Sequence, residues 1–209
     1  MRILVLGASG RTGRAIVHQA LERQHTVTAF VRNPAKSPAP HQALRVTVGN
    51  VNDFATVSEA IRGHDAVVSA LGVTTPLKPD ADVVRGVQHI IRAMVEQNVR
   101  RLIYLSFIGV HDSRAAVGVV LRYIAPIPLR HEIADHEAKE ALVTASPLEW
   151  TIVRPPTLTG GARTGQYRSG TAISTWKPVP LLARADVADF ILNELTEPQY
   201  VRQAPRLLH

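Results

Sequence analysis

The sequence predicts an α/β fold, a single doubly wound parallel sheet with helices on both faces, and three observations lead there. Six short apolar, β-branched runs recur along the 209 residues. Segments of helical period lie between them, and a glycine-rich turn joins the first run to the first helical segment. Several runs are apolar at consecutive positions instead of alternating ones, as strands buried on both faces of a parallel sheet are.

In chain order the predicted strands are Ile3 to Leu6, Thr26 to Val31, Ala43 to Val48, Ala66 to Ala70, Leu102 to Leu105 and Trp150 to Val153. Ile16, Val17, Ala20 and Leu21 form one helical stripe; Val83, Val84, Val87, Ile90, Ile91, Met94 and Val95 form a longer one with polar residues opposite. Right-handed crossovers between such strands place helices on both faces of the sheet. Pro155-Pro156, Gly160-Gly161 and Gly165 mark a long loop, about residues 157–177, and Ala185 to Leu195 reads as a last helix. Residues 110–128, with Gly118 and Pro126, read as a second loop, and both loops are expected to cover a substrate. No repeat, low-complexity tract or linker divides the chain, so one domain over residues 1–209 is expected.

Composition narrows the partners. Hydrophobic residues are 45% and charged residues 20%, average for a globular protein and incompatible with a disordered or fibrous one. Lys and Arg number 24 against 17 Asp and Glu, and the resulting +7 points to an anion: nucleic acid, membrane surface or a phosphate-rich small molecule. The absence of cysteine excludes disulfides, thiolate metal sites and a cysteine nucleophile. Met1-Arg2 leads directly into the first strand without a leader pattern. No apolar stretch reaches the ~18 residues of a membrane span; Ala115 to Leu121, the longest, contains Gly118 and is followed by Arg122. A soluble cytoplasmic protein with no membrane partner is therefore expected. Aromatic residues are only 5%, and Arg11, Arg32, Arg45, Arg62, Arg85 and Arg100 are scattered, so no nucleic-acid partner is expected either.

The most informative local pattern is Gly7-Ala8-Ser9-Gly10-Arg11-Thr12-Gly13, directly after the first strand. Glycines there permit a tight turn, close approach of backbone N–H groups to a pyrophosphate and close helix–strand packing. The anion then rests on the positive end of the helix, whose first N–H groups lack internal partners. The spacing is G-x-x-G-x-x-G, not the strict G-x-G-x-x-G of many dehydrogenases. At the end of the second strand, where an NAD-preferring site places a carboxylate, stands Arg32. A guanidinium holds a 2′-phosphate that a carboxylate would repel, and Arg11 is a second cation for it, so NADPH is expected over NADH.

With Gly7 to Gly13, Arg32-Asn33, Gly49 to Asp53, Ala70-Leu71-Gly72, Leu105-Ser106, Trp150 to Pro156 and Arg184 to Ala188, nearly the whole chain resembles the atypical short-chain dehydrogenase/reductases. Within them it resembles the small Rossmann-like NAD(P)H-binding proteins that include flavin reductase (biliverdin reductase B) and the NmrA-like regulators. The resemblance implies that Gly7, Ser9, Gly10, Arg11, Thr12 and Gly13 hold the cofactor phosphates. It places Asn50 and Val51 beside the adenine, and Ala70, Leu71 and Gly72 beside the ribose and pyrophosphate. Ser106 would lie near the nicotinamide and substrate, and Pro155 would shape the nicotinamide pocket.

Two departures bear on chemistry. Alcohol-oxidising relatives use Tyr-x-x-x-Lys, but four residues before Lys139 stands Asp135, which argues against alcohol oxidation and epimerase chemistry. Asp135 and Lys139 read most simply as an i,i+4 ion pair on a helix surface. After the proline pair flavin reductase has a histidine, whereas this chain has Thr157, so His136 becomes the best acid and a solvent-facing His136 its alternative. No metal is expected, because His131 and His136 are five residues apart, not the four that share a helix face. Ser106 lacks the G-x-S-x-G setting of a hydrolase nucleophile. Trp150 and Trp176 read as packing residues, with Trp176 alternatively a substrate wall.

The expected function is an NADPH-dependent reductase that transfers hydride to a flat conjugated small molecule: a flavin, quinone or tetrapyrrole. Such a transfer asks for positioning more than for acid strength. The alternative is a non-catalytic NADP(H)-binding sensor like the NmrA-like proteins.

Overall fold

In a computed structural model that describes residues 1–72, 81–118 and 130–209, the six apolar runs form one wholly parallel sheet. Its strands are β1 (Arg2–Leu6), β2 (Thr26–Val31), β3 (Leu44–Val48), β4 (Ala66–Ser69), β5 (Arg101–Leu105) and β6 (Glu149–Val153). The spatial order is β3-β2-β1-β4-β5-β6. Ile3 stands between Val27 and Ala66, and Leu6 between Phe30 and Ser69. The chain leaves β1 to one side and returns to its other side at β4, and ligands of such sheets bind beyond the strand ends at this reversal.

Helices α1 (Arg11–Glu22), α2 (Phe54–Ile61), α3 (Ala81–Glu96), α4 (Arg130–Thr144) and α5 (Arg184–Thr196) cover the sheet. Alternate residues of each strand separate into two cores. Ile3, Val5, Ala29, Val68 and Ile103 pack with Ile16 and Val17 of α1 and with Val187 and Ile191 of α5. Leu4, Leu6, Val67, Leu102 and Ile152 pack with Val57 of α2, Ile90 and Met94 of α3 and Val143 of α4. The fold is Rossmann-like, as the sequence predicts. Within the long stripe, Val87, Ile90 and Met94 are buried, while Val95 at its end is exposed.

The late loop carries more structure than its prolines and glycines announce. β7 (Thr157–Thr159) pairs in parallel with β9 (Leu181–Ala183), and β8 (Arg168–Gly170) pairs antiparallel with β10 (Arg206–Leu208). The C-terminal residues also cover the outer edge of β6: Ile152 N donates to Gln203 O at 3.0 Å and Arg154 N to Pro205 O at 2.9 Å. Of the other expected loop, residues 111–116 form a short 3₁₀ helix, and residues 119–128 lie outside the described residues. Among the described residues no helix is long and apolar enough to cross a membrane.

Candidate functional site

The glycine turn is a backbone cradle in which each glycine has its own cause. Gly7 sits at φ 77°, and a Cβ there would lie 2.5 Å from the carbonyl oxygen of Ala70, at the end of β4. A Cβ on Gly13 would overlap the Gly7 carbonyl oxygen and lie 2.8 Å from Ala8 Cα, so α1 meets β1 closely only with glycine there. Gly10 caps α1 at φ −72°, and its virtual Cβ meets only the Gly7 carbonyl oxygen, at 3.3 Å. No side chain caps α1, and its first turn contains no acidic residue. Its leading N–H groups therefore face the open side of the turn, as the fit of a pyrophosphate requires. Arg14 stiffens the cradle, donating to Ser9 O at 3.1 Å and Lys36 O at 3.0 Å.

Ser9 and Thr12 are half-buried in this turn, and Arg11 projects from it, exposed. Arg32 is exposed directly after β2, and Asn33 caps the short 3₁₀ helix that follows. Among the described residues neither Arg11 nor Arg32 forms a hydrogen bond or ion pair.

The residues expected beside the adenine lie beyond β3. Asn50 Oδ1 accepts from Asn52 N at 3.1 Å, closing a local turn, so its amide N–H groups are what it has left to offer a base edge. Val51 is buried against Gly86 of α3, where a Cβ would come within 2.6 Å of Val51 Cγ2. Ala70 N donates to Leu6 O at 2.9 Å; Ala70 and Leu71 are half-buried and Gly72 is exposed with open space around its Cβ position.

On the other side of the reversal, Ser106 N donates to Val153 O at 2.9 Å and Ile108 N to Pro155 O at 2.8 Å. Ser106, Pro155 and Pro156 are thereby buried, with Thr157 exposed just beyond. Ser106 Oγ lies 3.3 Å from Nδ1 of His136 on α4, and the Phe107 ring meets the imidazole edge-to-face at 4.9 Å. Burial, and then the charge of Lys139, push the His136 imidazole down to about 3. Both sequence readings of His136 are thus corrected, the solvent-facing alternative by its burial and the expected acid by this shift. At neutral pH the ring has no imidazolium proton to give, and what it offers Ser106 is a fixed neutral partner.

Asp135 and Lys139 require a second correction. They are buried, Lys139 to 0% exposure, rather than a surface pair. Glu132, which the sequence analysis does not single out, occupies the first turn of α4, half-buried. Burial holds its carboxyl above the ordinary range, with Lys139 opposing that shift and Asp135 adding to it. Among the described residues no His, Asp and Glu group is placed to hold a metal. Trp150 is buried in the core as expected, whereas Trp176 is 86% exposed and packs nothing together.

Behind Ser106 an ionic network fixes α4. Arg154 grips Glu140 with two bonds, Nε–Oε1 at 3.1 Å and Nη2–Oε2 at 2.6 Å, and reaches Asp112 at 2.7 Å. Arg206 holds the other oxygen of Asp112 at 2.7 Å and donates to Ile173 O at 2.9 Å, tying in the late loop. That loop is also fixed by Asp186 of α5, which accepts from Thr164 N at 2.7 Å and Gly165 N at 2.9 Å.

The buried imidazole makes stability depend on pH. Below pH 6.5 the unfolded chain takes up a proton at His136 that the folded chain refuses until about pH 3. Stability therefore falls with pH across that window, by up to ~1.4 kcal/mol per unit from this one group. Urea unfolding at pH 7.5, about 6 and about 5 should show His136→Asn losing less stability with acid than the native chain. Parallel curves for the two proteins would refute the assignment.

A family model described as NAD(P)H-binding matches residues 7–198. The uncharacterized protein YwnB of Bacillus subtilis is 28% identical over 207 residues, 96% of this chain and 94% of that protein. Of three further curated relatives, this chain spans only 34%, 31% and 35% of their length. Among solved structures, ChuY of Escherichia coli O157:H7, described as an anaerobilin reductase, aligns over 100% of this chain and 97% of its own, with TM-score 0.81 and 22% identity. A short-chain dehydrogenase/reductase from Veillonella parvula in complex with NADP aligns over 100% and 94%, with TM-score 0.84 and 18% identity. These two likenesses are likenesses of fold.

Proposed function

We propose that this chain, which belongs to the NAD(P)H-binding family, is an NADPH-dependent reductase that delivers hydride to a flat conjugated acceptor of the flavin, quinone or tetrapyrrole class. The carrying observation is that the uncapped glycine cradle and the buried Ser106–His136 pair open on the same edge of one sheet, on either side of β4. Reduced nicotinamide supplies the hydride when bound.

The protein's part is to bind, orient and dry. Gly7, Gly10 and Gly13 let the backbone receive the pyrophosphate, and Arg32 meets a 2′-phosphate. Ser106, held by His136, presents one hydroxyl of fixed orientation to the nicotinamide or acceptor, and Pro155 and Pro156 wall the same place. Asp135 at the tyrosine position supports reduction of a conjugated acceptor over alcohol oxidation, since no phenol is there to move the alcohol proton. The reductase named among the structural neighbours, and the NADP bound by another, support the same reading.

The test is turnover. Purified protein with NADPH should reduce at least one member of a panel of flavins, quinones and linear tetrapyrroles, and Arg32→Asp should shift the NADPH/NADH affinity ratio toward NADH by at least about tenfold. Tight NADPH binding with no turnover would replace the reductase with the sensor reading, and an unchanged ratio would remove Arg32 from the cofactor site.

A further inference from the structure

Two guanidinium groups at the site edge of the sheet have no task in the fold. Arg11 opens α1 and Arg184 opens α5, and among the described residues neither forms a hydrogen bond or ion pair. Other cations against these two helices are committed: Arg23 and Arg163 to Asp189, and Arg101 to Glu194. The adjacent carboxylate, Asp186, is occupied by Thr164 and Gly165.

The two helices run side by side in the same direction. Gln19 Nε2 donates to Ala185 O at 2.8 Å, and Arg23 reaches Asp189 at 2.6 Å and Asn193 at 2.7 Å. Ala8 before α1 shares one core with Leu182 and Val187 around the start of α5. Arg184 directly follows Ala183, which pairs with Thr159, and β7 begins at Thr157, the residue after the proline pair. Arg184 therefore stands on the Ser106 side of β1, opposite to Arg32 at the end of β2. Burial and then the charge of Arg11 lower the Arg184 pKa, with no carboxylate offsetting them. Two such charges within electrostatic reach are unfavourable until an anion joins them.

We propose that Arg11 and Arg184 form an anion subsite on the acceptor side, which takes a carboxylate or phosphate carried by the conjugated acceptor. The subsite rests on the reductase reading and sharpens it: an acid-bearing chromophore is preferred to a neutral quinone. A phosphate of the dinucleotide is the other source of the same chemistry.

Flavin mononucleotide and riboflavin share one ring system and differ in the phosphate, so they separate these sources. The NADP⁺-loaded protein is titrated with each, by quenching of flavin fluorescence, and NADP⁺ affinity is measured separately. The native protein should bind flavin mononucleotide more tightly than riboflavin. Arg184→Gln should weaken flavin mononucleotide about tenfold, leave riboflavin and NADP⁺ within about twofold, and Arg184→Lys should restore part of the loss. Equal weakening of both flavins, loss of NADP⁺ affinity in step with flavin mononucleotide, or no preference in the native protein, including binding of neither flavin, would overturn the subsite. Arg184-dependent flavin mononucleotide binding without turnover would leave the subsite standing and remove only the reductase.

Discussion

Gly13→Ala should lower the stability of the fold by about 3 kcal/mol or more, whereas Gly10→Ala should cost under about 1 kcal/mol. At Gly13 the new methyl meets backbone of the turn that follows β1, Gly7 O, Gly7 C and Ala8 Cα, and backbone cannot swing aside as a side chain can. At Gly10 the backbone is already extended, and only Gly7 O stands near the new methyl. That methyl sits where a pyrophosphate would approach, so Gly10→Ala should instead lower NADP⁺ affinity at least about tenfold with little change in melting temperature. Thermal melts and NADP⁺ titrations of both variants check the pair. Equal melting temperatures for the two would show that close packing is not what Gly13 provides.

Glu140→Ala should be the other severe change, costing about 3–5 kcal/mol, because it strands the Arg154 guanidinium in the interior. Asp112 cannot take over: its side chain is 65% exposed and already divided between Arg154 and Arg206. Removing both charges with Glu140→Leu and Arg154→Met should recover much of the loss, since a pair of apolar residues leaves no ion unsolvated. Urea midpoints of the single and double variants measure this, and a double variant as unstable as the single one would mean that shape, not charge, holds α4.

The strands were legible because their chemistry is local. A strand buried on both faces must be apolar at consecutive positions, and Ile3-Leu4-Val5-Leu6 or Ala66-Val67-Val68 shows this without reference to any partner. The cradle was legible for the same reason, since Gly7 and Gly13 answer to backbone within a few residues and to Ala70. β7 to β10 were not, because three-residue strands such as Thr157–Thr159 and Arg168–Gly170 owe their form to partners up to 40 residues away. The inner face of α4 misled for a related cause. Asp135, His136, Lys139 and Glu140 look solvated in a sequence, because charged residues are rarely buried. The Glu140 partner, Arg154, arrives only after the chain has passed through β6. Trp176 misled in the opposite sense, its size suggesting a core that never forms around it.

The anchoring of the late loop divides the molecule for an engineer or for natural variation. Pairing of β7 with β9 pins the stretch at Thr157 and Ala183, and Asp186 pins its middle at Thr164 and Gly165. β8 on β10 and Ile173 O on Arg206 pin its second half, so length and side chains are free to change only in short spans between these pins, such as residues 160–162. On the proposed reading, variation confined to those spans can retune acceptor choice while the glycine cradle stays unchanged.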